Sequence, residues 1–146
     1  MKSVIVDTCI WYALVDEKDV YAGCNEKIRQ VLKHHVILVP YPSLYETINT
    51  KLIKNERKQA DKLFGYLNNN EKVKLIMDDK YREEALSAVQ FELKRGKHYS
   101  LVDMVIRLMM QDKSLGRVSV MTFNVKDFIG TGTGVEVVDP RTLEFM

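Results

Sequence analysis

Five short runs of apolar, mostly β-branched residues, separated by segments with helical periodicity, constrain the fold of this chain more than any other feature. The runs are Val4 to Val6, Val36 to Val39, Val73 to Ile76, Val118 to Met121 and Val135 to Val138. Such runs fit a buried, pleated surface. Between them, Val20, Cys24, Ile28, Val31 and Leu32 fall on one helical face, as do Tyr45, Ile48, Leu52 and Ile53. Ala60, Leu63, Phe64 and Leu67 repeat the pattern, and so do Tyr81, Ala85, Ala88 and Val89. The segment Leu101 to Met110 is apolar almost all round, which predicts a buried helix. Parallel strands need crossover connections, usually helices. The alternation therefore predicts an α/β fold in three layers: a mainly parallel five-stranded sheet with helices on both faces.

The loops carry less information. Asn68-Asn69-Asn70 reads as a helix end, and Gly130-Thr131-Gly132-Thr133-Gly134 as a flexible loop before the last strand. The glycine run lacks the Lys-Ser/Thr ending of a phosphate-binding P-loop, and a strand rather than a helix is expected after it, so it carries little functional weight. At 146 residues the chain fits one domain spanning 1–146. A hydrophobic share of 46% excludes disorder. A net charge of +2 means that any nucleic-acid footprint must be local. Cys9 and Cys24 have no metal-binding spacing and read as reduced thiols. The apolar N-terminal stretch meets Asp7 too early for a signal peptide, and no stretch is long enough to span a bilayer. A soluble, cytoplasmic protein is the expectation.

Three acids stand out. Asp7 follows the first apolar run, where open α/β sheets place their ligands. Glu46 and Asp103 recur at predicted helix starts, where the helix dipole favours an ionised carboxylate. Each has a plain structural reading. Asp7 fits an N-cap, Ser43 and Glu46 fit a capping box, and Ser100 and Asp103 fit a similar one. Asp103 also has the spacing for an ion pair with Arg107. Taken together, converging acids would form an oxygen-rich pocket suited to a hard divalent cation.

Four motifs in order carry a family resemblance. Val4-Ile5-Val6-Asp7-Thr8-Cys9, Ser43-Leu44-Tyr45-Glu46, Ser100-Leu101-Val102-Asp103 and Met121-Thr122-Phe123-Asn124-Val125-Lys126-Asp127-Phe128 resemble, in order and spacing, a PIN domain. The look-alikes are the VapC-type toxins of prokaryotic toxin–antitoxin pairs. The resemblance implies a metal-dependent ribonuclease using Mg2+ or Mn2+. It implies Asp7, Glu46 and Asp103 as core acids and Thr122 as the hydroxyl residue after the fourth strand. Asp7 and Asp103 would ligate metal. Glu46 would ligate directly, ligate through water, or act as general base. Family members often carry a fourth acid two positions after the threonine. Here that position is Asn124, with Asp127 three residues on, so either could complete a metal site, or a turn alone could explain both. A homodimer through the helices around Tyr45 to Ile53 and Ala60 to Leu67, and an antitoxin protein as partner, are implied as well.

Lys51, Lys54, Arg57 and Lys58, with Lys62, form one basic cluster. Lys94, Arg95, Lys97 and His98 form another just before the Asp103 segment. Both are candidates for contacts to RNA phosphates, although solvated helix faces carry the same pattern. Trp11, Tyr12 and Tyr45 read as packing residues rather than base-stacking platforms. A haloacid-dehalogenase-like phosphatase would need Asp-x-Asp after the first strand, and Cys9 occupies the second position. A non-catalytic RNA-binding or assembly module with a decayed site is the other rival, and Asn124 is its main argument.

Overall fold

The computed structural model describes residues 2–69, 71–132 and 135–143. Asn70, Thr133 and Gly134 of the expected loops lie outside the described residues. The strands are β1 (Ser3–Val6), β2 (Val36–Pro40), β3 (Val73–Ile76), β4 (Val118–Met121) and β5 (Glu136–Val138). They form one sheet in the order β3-β2-β1-β4-β5, and every neighbouring pair is parallel. The helices are α1 (Thr8–Val15), α2 (Asn25–Lys33), α3 (Tyr41–Thr47), α4 (Thr50–Asn55), α5 (Arg57–Leu67), α6 (Arg82–Lys94) and α7 (Leu101–Gln111).

The two-residue period of a strand divides the core. Val4 and Val6 of β1, with Ile37 and Val39 of β2, share a core with Trp11, Ile28, Leu32 and Leu63 from α1, α2 and α5. Ile5, Leu38 and Val120 point the other way and share a second core with Ala85 of α6 and Met104, Val105, Ile106 and Met109 of α7. Helices therefore cover both faces, as the α/β reading requires. Strand β1 is fully buried at Val4, Ile5 and Val6 because it has a strand on each side and helices above and below. The edge strands carry polar residues instead, Lys74 on β3 and Glu136 on β5, and both are exposed. Charged side chains on an edge discourage pairing with another chain.

Three helical expectations change. The single face proposed for Tyr45, Ile48, Leu52 and Ile53 is divided between α3 and α4. Asn49 causes the break: its Oδ1 accepts the Leu52 N–H at 3.0 Å and starts a new helix, while its Nδ2 donates to the Glu46 carbonyl. Leu52 is buried as a result, while Tyr45 (73%) and Ile53 (48%) are exposed. Val20 precedes the helix that it was expected to join and is 85% exposed. Helix α7 is two-faced rather than buried all round. Met104, Val105, Ile106, Met109 and Met110 are buried, while Leu101 is exposed and Asp103 and Arg107 are only half-buried.

Candidate metal centre at the ends of the central strands

In the strand order, the chain leaves β1 for β2 on one side and returns later to β4 on the other. Beyond the C-terminal ends of β1 and β4 lies the topological switch point, where open α/β sheets form their ligand crevice. Asp7 and Thr122 follow those two ends. Asp7 is buried, and its backbone is extended before α1 begins. Its Oδ1 accepts the Thr8 N–H at 2.8 Å and its Oδ2 accepts the Thr122 hydroxyl at 2.8 Å. Thr122 is fully buried, and its Oγ1 accepts the Asn124 N–H at 3.0 Å. Asp7 is thus both a helix cap and the fixed centre of a polar cluster.

Asp103 arrives from the other side of the sheet. A helix that feeds a parallel strand runs back against it, so the start of α7 lies at the edge where β1 and β4 end. Ser100 caps that start by accepting the Asp103 N–H at 3.0 Å. Burial, then the charge of Asp7, pushes the Asp103 carboxyl up to about 6; Asp127 and Glu46 add smaller repulsions, and Ser100 opposes them. Burial and neighbouring acids raise this carboxyl even though the helix dipole favours its ionised form.

Glu46 corrects the expectation further. It is not at a helix start. It is the sixth residue of the seven in α3, near the negative end of the dipole. Pro40 begins that helix, no side chain caps it, and the Ser43 hydroxyl is buried without a hydrogen-bond partner among the described residues. The Ser43–Glu46 capping box is therefore not formed. Glu46 is exposed overall, yet partial desolvation of its carboxyl, then the charge of Asp7, raises its pKa. The ion pair expected between Asp103 and Arg107 is also absent. Arg107 instead donates to the Asp127 carbonyl at 2.9 Å.

Asp103 feels the charges of Asp7, Asp127 and Glu46, and Glu46 feels that of Asp7, so the four acids influence one another electrostatically. None of them forms an ion pair among the described residues. Carboxylates with neutral oxygen donors such as Thr122 and Asn124 are the donor set that Mg2+ or Mn2+ prefers. The residues fit such an ion in kind. Among the described residues, however, no three His, Cys, Asp or Glu side chains already stand as a set that could hold one. Carboxylates without a counter-ion repel one another, and both oxygens of Asp7 are turned to Thr8 and Thr122. Asn124 is exposed, and Asp127 closes the turn Val125–Asp127 that follows it.

One site residue escaped the sequence reading. The Cys9 thiol lies 3.7 Å from both Asp7 Oδ2 and Thr122 Oγ1. Burial, then the Asp7 charge, raises it to about 11, so it is a neutral thiol. Its position two residues after Asp7, in the first turn of α1, was the available signal. The basic candidates separate by place. Lys97 and His98 are exposed in the loop between α6 and α7, close in sequence to Ser100 and Asp103. Lys51, Lys54, Arg57 and Lys58 are exposed on α4 and α5, in the helical layer of α1. A cavity of about 380 Å³ in that layer is lined by Tyr12, Asp16, Asn49, Lys51, Leu52 and Glu56 and includes none of the three acids. Trp11 is core, as expected, and Tyr12 donates to the Thr47 carbonyl at 3.1 Å.

No protein-family model matches this chain, and no curated protein does. Solved structures do. A chain in the structure of VapBC2 from Rickettsia felis, bound to a DNA fragment from the promoter, superposes with a TM-score of 0.61 at 17% identity, covering 94% of this chain and 98% of that one. Mycobacterium tuberculosis VapC20, described as a sarcin-ricin loop cleaving toxin, gives a TM-score of 0.64 at 18% identity over 84% of this chain and 92% of that one. FitAcB from Neisseria gonorrhoeae gives 0.64 at 15% identity over 96% and 99%. At these identities the likeness speaks for the fold. Together with the parallel sheet, its strand order and its two helical layers, it shows that this chain has the PIN-domain fold of the VapC-type toxin structures.

Proposed function

We propose that this chain is a metal-dependent ribonuclease that hydrolyses RNA phosphodiester bonds and serves as the toxin of a VapBC-type pair. One observation carries the reading: Asp7, Glu46 and Asp103 repel one another, and none of them has an ion pair among the described residues. A structural role would be served by an ion pair, and a buried acid such as Asp7 is costly without one. Asp7 and Asp103 would hold Mg2+ or Mn2+, with Asn124 or Asp127 at its margin. The ion would supply an acidified water and offset charge on the phosphoryl oxygens. Glu46, whose raised pKa suits proton transfer, would take the proton of the attacking water on a carboxylate oxygen. Thr122 holds Asp7 in one orientation, and Lys97 and His98, with Lys51, Lys54, Arg57 and Lys58 further off, would meet RNA phosphates.

An antitoxin protein and a second copy of the chain are the proposed partners, acting in the cytoplasm. The structural neighbours, which include VapBC2 and a FitAB complex bound to DNA, support the antitoxin. For the dimer, Tyr45 and Ile53 remain available as exposed apolar surface, whereas Ala60 and Leu63 of the other suggested stripe are buried in the chain's own core. No helix is long and apolar enough to cross a membrane among the described residues. The test is a panel of structured RNAs, a sarcin–ricin loop hairpin among them, incubated with the protein in Mg2+, Mn2+ or EDTA. Cleavage with either metal, lost in EDTA and in Asp7→Asn, is the expected result. Cleavage that survives both changes, or none under any condition, overturns the reading. Sedimentation gives the mass in solution, and a monomer at micromolar concentration overturns the dimer.

A further inference from the structure

We infer that Arg107, with Tyr99 beneath it, is a phosphate-binding site for the RNA strand on the α7 side of the acid cluster. The inference rests on the ribonuclease reading above and adds to it a residue that the reading does not use. Arg107 lies one helical turn after Asp103 on the same side of α7, displaced by about 6 Å along the axis. A guanidinium four residues after Asp103 has the spacing to pair with an acid. It pairs with none among the described residues. Two contacts hold it in place instead. One N–H donates to the Asp127 carbonyl at 2.9 Å, and the guanidinium carbon stands 4.6 Å from the centre of the Tyr99 ring.

Those contacts fix the group without neutralising it. A backbone carbonyl carries no net charge, and stacking on a ring leaves the edge of the fork open. A guanidinium offers five N–H donors, and this one has a single protein acceptor among the described residues. Its full positive charge and most of its donors remain for an anion. Planar, bidentate recognition of phosphate is the chemistry that Arg favours over Lys. The acid cluster itself repels RNA, and the net charge of +2 supplies little long-range attraction. Grip must come from cations at the border of the cluster. Arg107 is half-buried and pre-positioned there, whereas Lys97, His98 and Lys126 nearby in sequence are exposed.

The test is equilibrium binding of a labelled single-stranded RNA of mixed sequence, followed by fluorescence anisotropy across a salt series. Non-specific binding of this kind reports phosphate contacts. The Asp7→Asn background keeps the probe intact in every arm. Adding Arg107→Gln should weaken binding about tenfold and lower the slope of log affinity against log salt by about 0.7, the value of one phosphate contact on a single strand. Arg107→Lys should keep the slope, because it keeps the charge. Melting curves for each variant identify any loss of folding. Should Arg107→Gln fail to fold, Arg107→Lys and Tyr99→Leu carry the test, the latter expected to weaken binding several-fold with an unchanged slope. An unchanged slope and affinity in a folded Arg107→Gln protein overturns the inference while the ribonuclease reading stands. If Arg107→Lys loses the slope as well, the residue acts only by anchoring the Asp127 turn, and the inference falls. A parent protein that binds no RNA and cleaves none overturns both.

Discussion

The Thr122 hydroxyl donates to Asp7 Oδ2 at 2.8 Å, and that bond joins the C-terminal ends of β4 and β1 across the switch point of the sheet. With the Thr8 N–H on its other oxygen, both oxygens of Asp7 are held. Partners that orient a metal-binding carboxylate are worth about 10- to 100-fold in metal affinity or activity when removed. Thr122→Val keeps the shape of the side chain and deletes the donor. It should lower the rate of RNA cleavage by about that factor, while Thr122→Ser stays near the parent. Cleavage rates measured over a Mg2+ series separate weaker metal binding from a slower step. Equal rates in Thr122→Val and the parent would remove Thr122 from the site.

Asn124 is exposed and connected to the cluster through its N–H to Thr122, so its side chain is free to change without disturbing the core. Asn124→Asp adds a charge where a neutral oxygen now stands. Calorimetric titration with Mn2+ should show tighter binding than in the parent, since affinity for hard cations rises with ligand charge. Asn124→Ala should bind Mn2+ within about threefold of the parent, because no charge is lost. A drop in affinity for Asn124→Asp would place this residue away from the ion.

The raised pKa of Asp103 sets a direction for stability without metal. Its carboxyl ionises near 3.8 when unfolded and at about 6 in the fold. Between those values the folded chain binds more protons than the unfolded chain. Stability therefore declines as pH rises through that window, and Glu46, also raised, adds in the same direction. In EDTA the melting temperature should fall from pH 4 to pH 6.5 by this term. Excess Mg2+ should offset the loss above pH 6, because the ion binds the ionised form. An Asp103→Asn protein should show a flatter profile. If its profile matches the parent's, Asp103 is not the titrating group.

The sequence carried the layers of this fold better than its helix boundaries. Runs such as Val4 to Val6 are buried on both faces, so composition alone marks them as central strands. Asn49 was less legible. Its capping of α4 depends on where α3 stops, and α3 stops because the Asn49 side chain returns to the Glu46 carbonyl. The same blindness misplaced Glu46 at a helix start, since Ser-x-x-Glu spacing cannot show that Pro40 opens the helix instead. In the candidate site, the motifs named Asp7 and Thr122, which the structure joins by a hydrogen bond, and Glu46 and Asp103, which feel the charge of Asp7. The Asp103–Arg107 pair read correctly as spacing and wrongly as contact, because a backbone carbonyl contributed by Asp127 holds the guanidinium, and main-chain acceptors leave no mark in sequence.

At the far end of α7, Asp112 ties two helices together. Its Oδ2 accepts the Tyr81 hydroxyl at 2.5 Å and lies 2.6 Å from Lys80 Nζ. Lys80 first, then Tyr81 and Ser114, hold the Asp112 carboxyl well below the usual carboxylate range. Burial first, then Asp112, pushes the Tyr81 hydroxyl well above its usual range. Tyr81 is buried, so Tyr81→Phe removes a charge-assisted hydrogen bond without opening a cavity. The expected loss is about 1.5–3 kcal/mol of unfolding free energy in urea at neutral pH. A carboxyl whose folded pKa is depressed contributes stability above its unfolded pKa and loses it as pH falls through the folded one. The difference between Tyr81→Phe and the parent should therefore be full at neutral pH and shrink below about pH 3.8. RNA cleavage by the folded variant should match the parent, because this network lies at the opposite end of α7 from Asp103. A Tyr81→Phe protein as stable as the parent at neutral pH would show that the bond adds nothing beyond what Lys80 supplies.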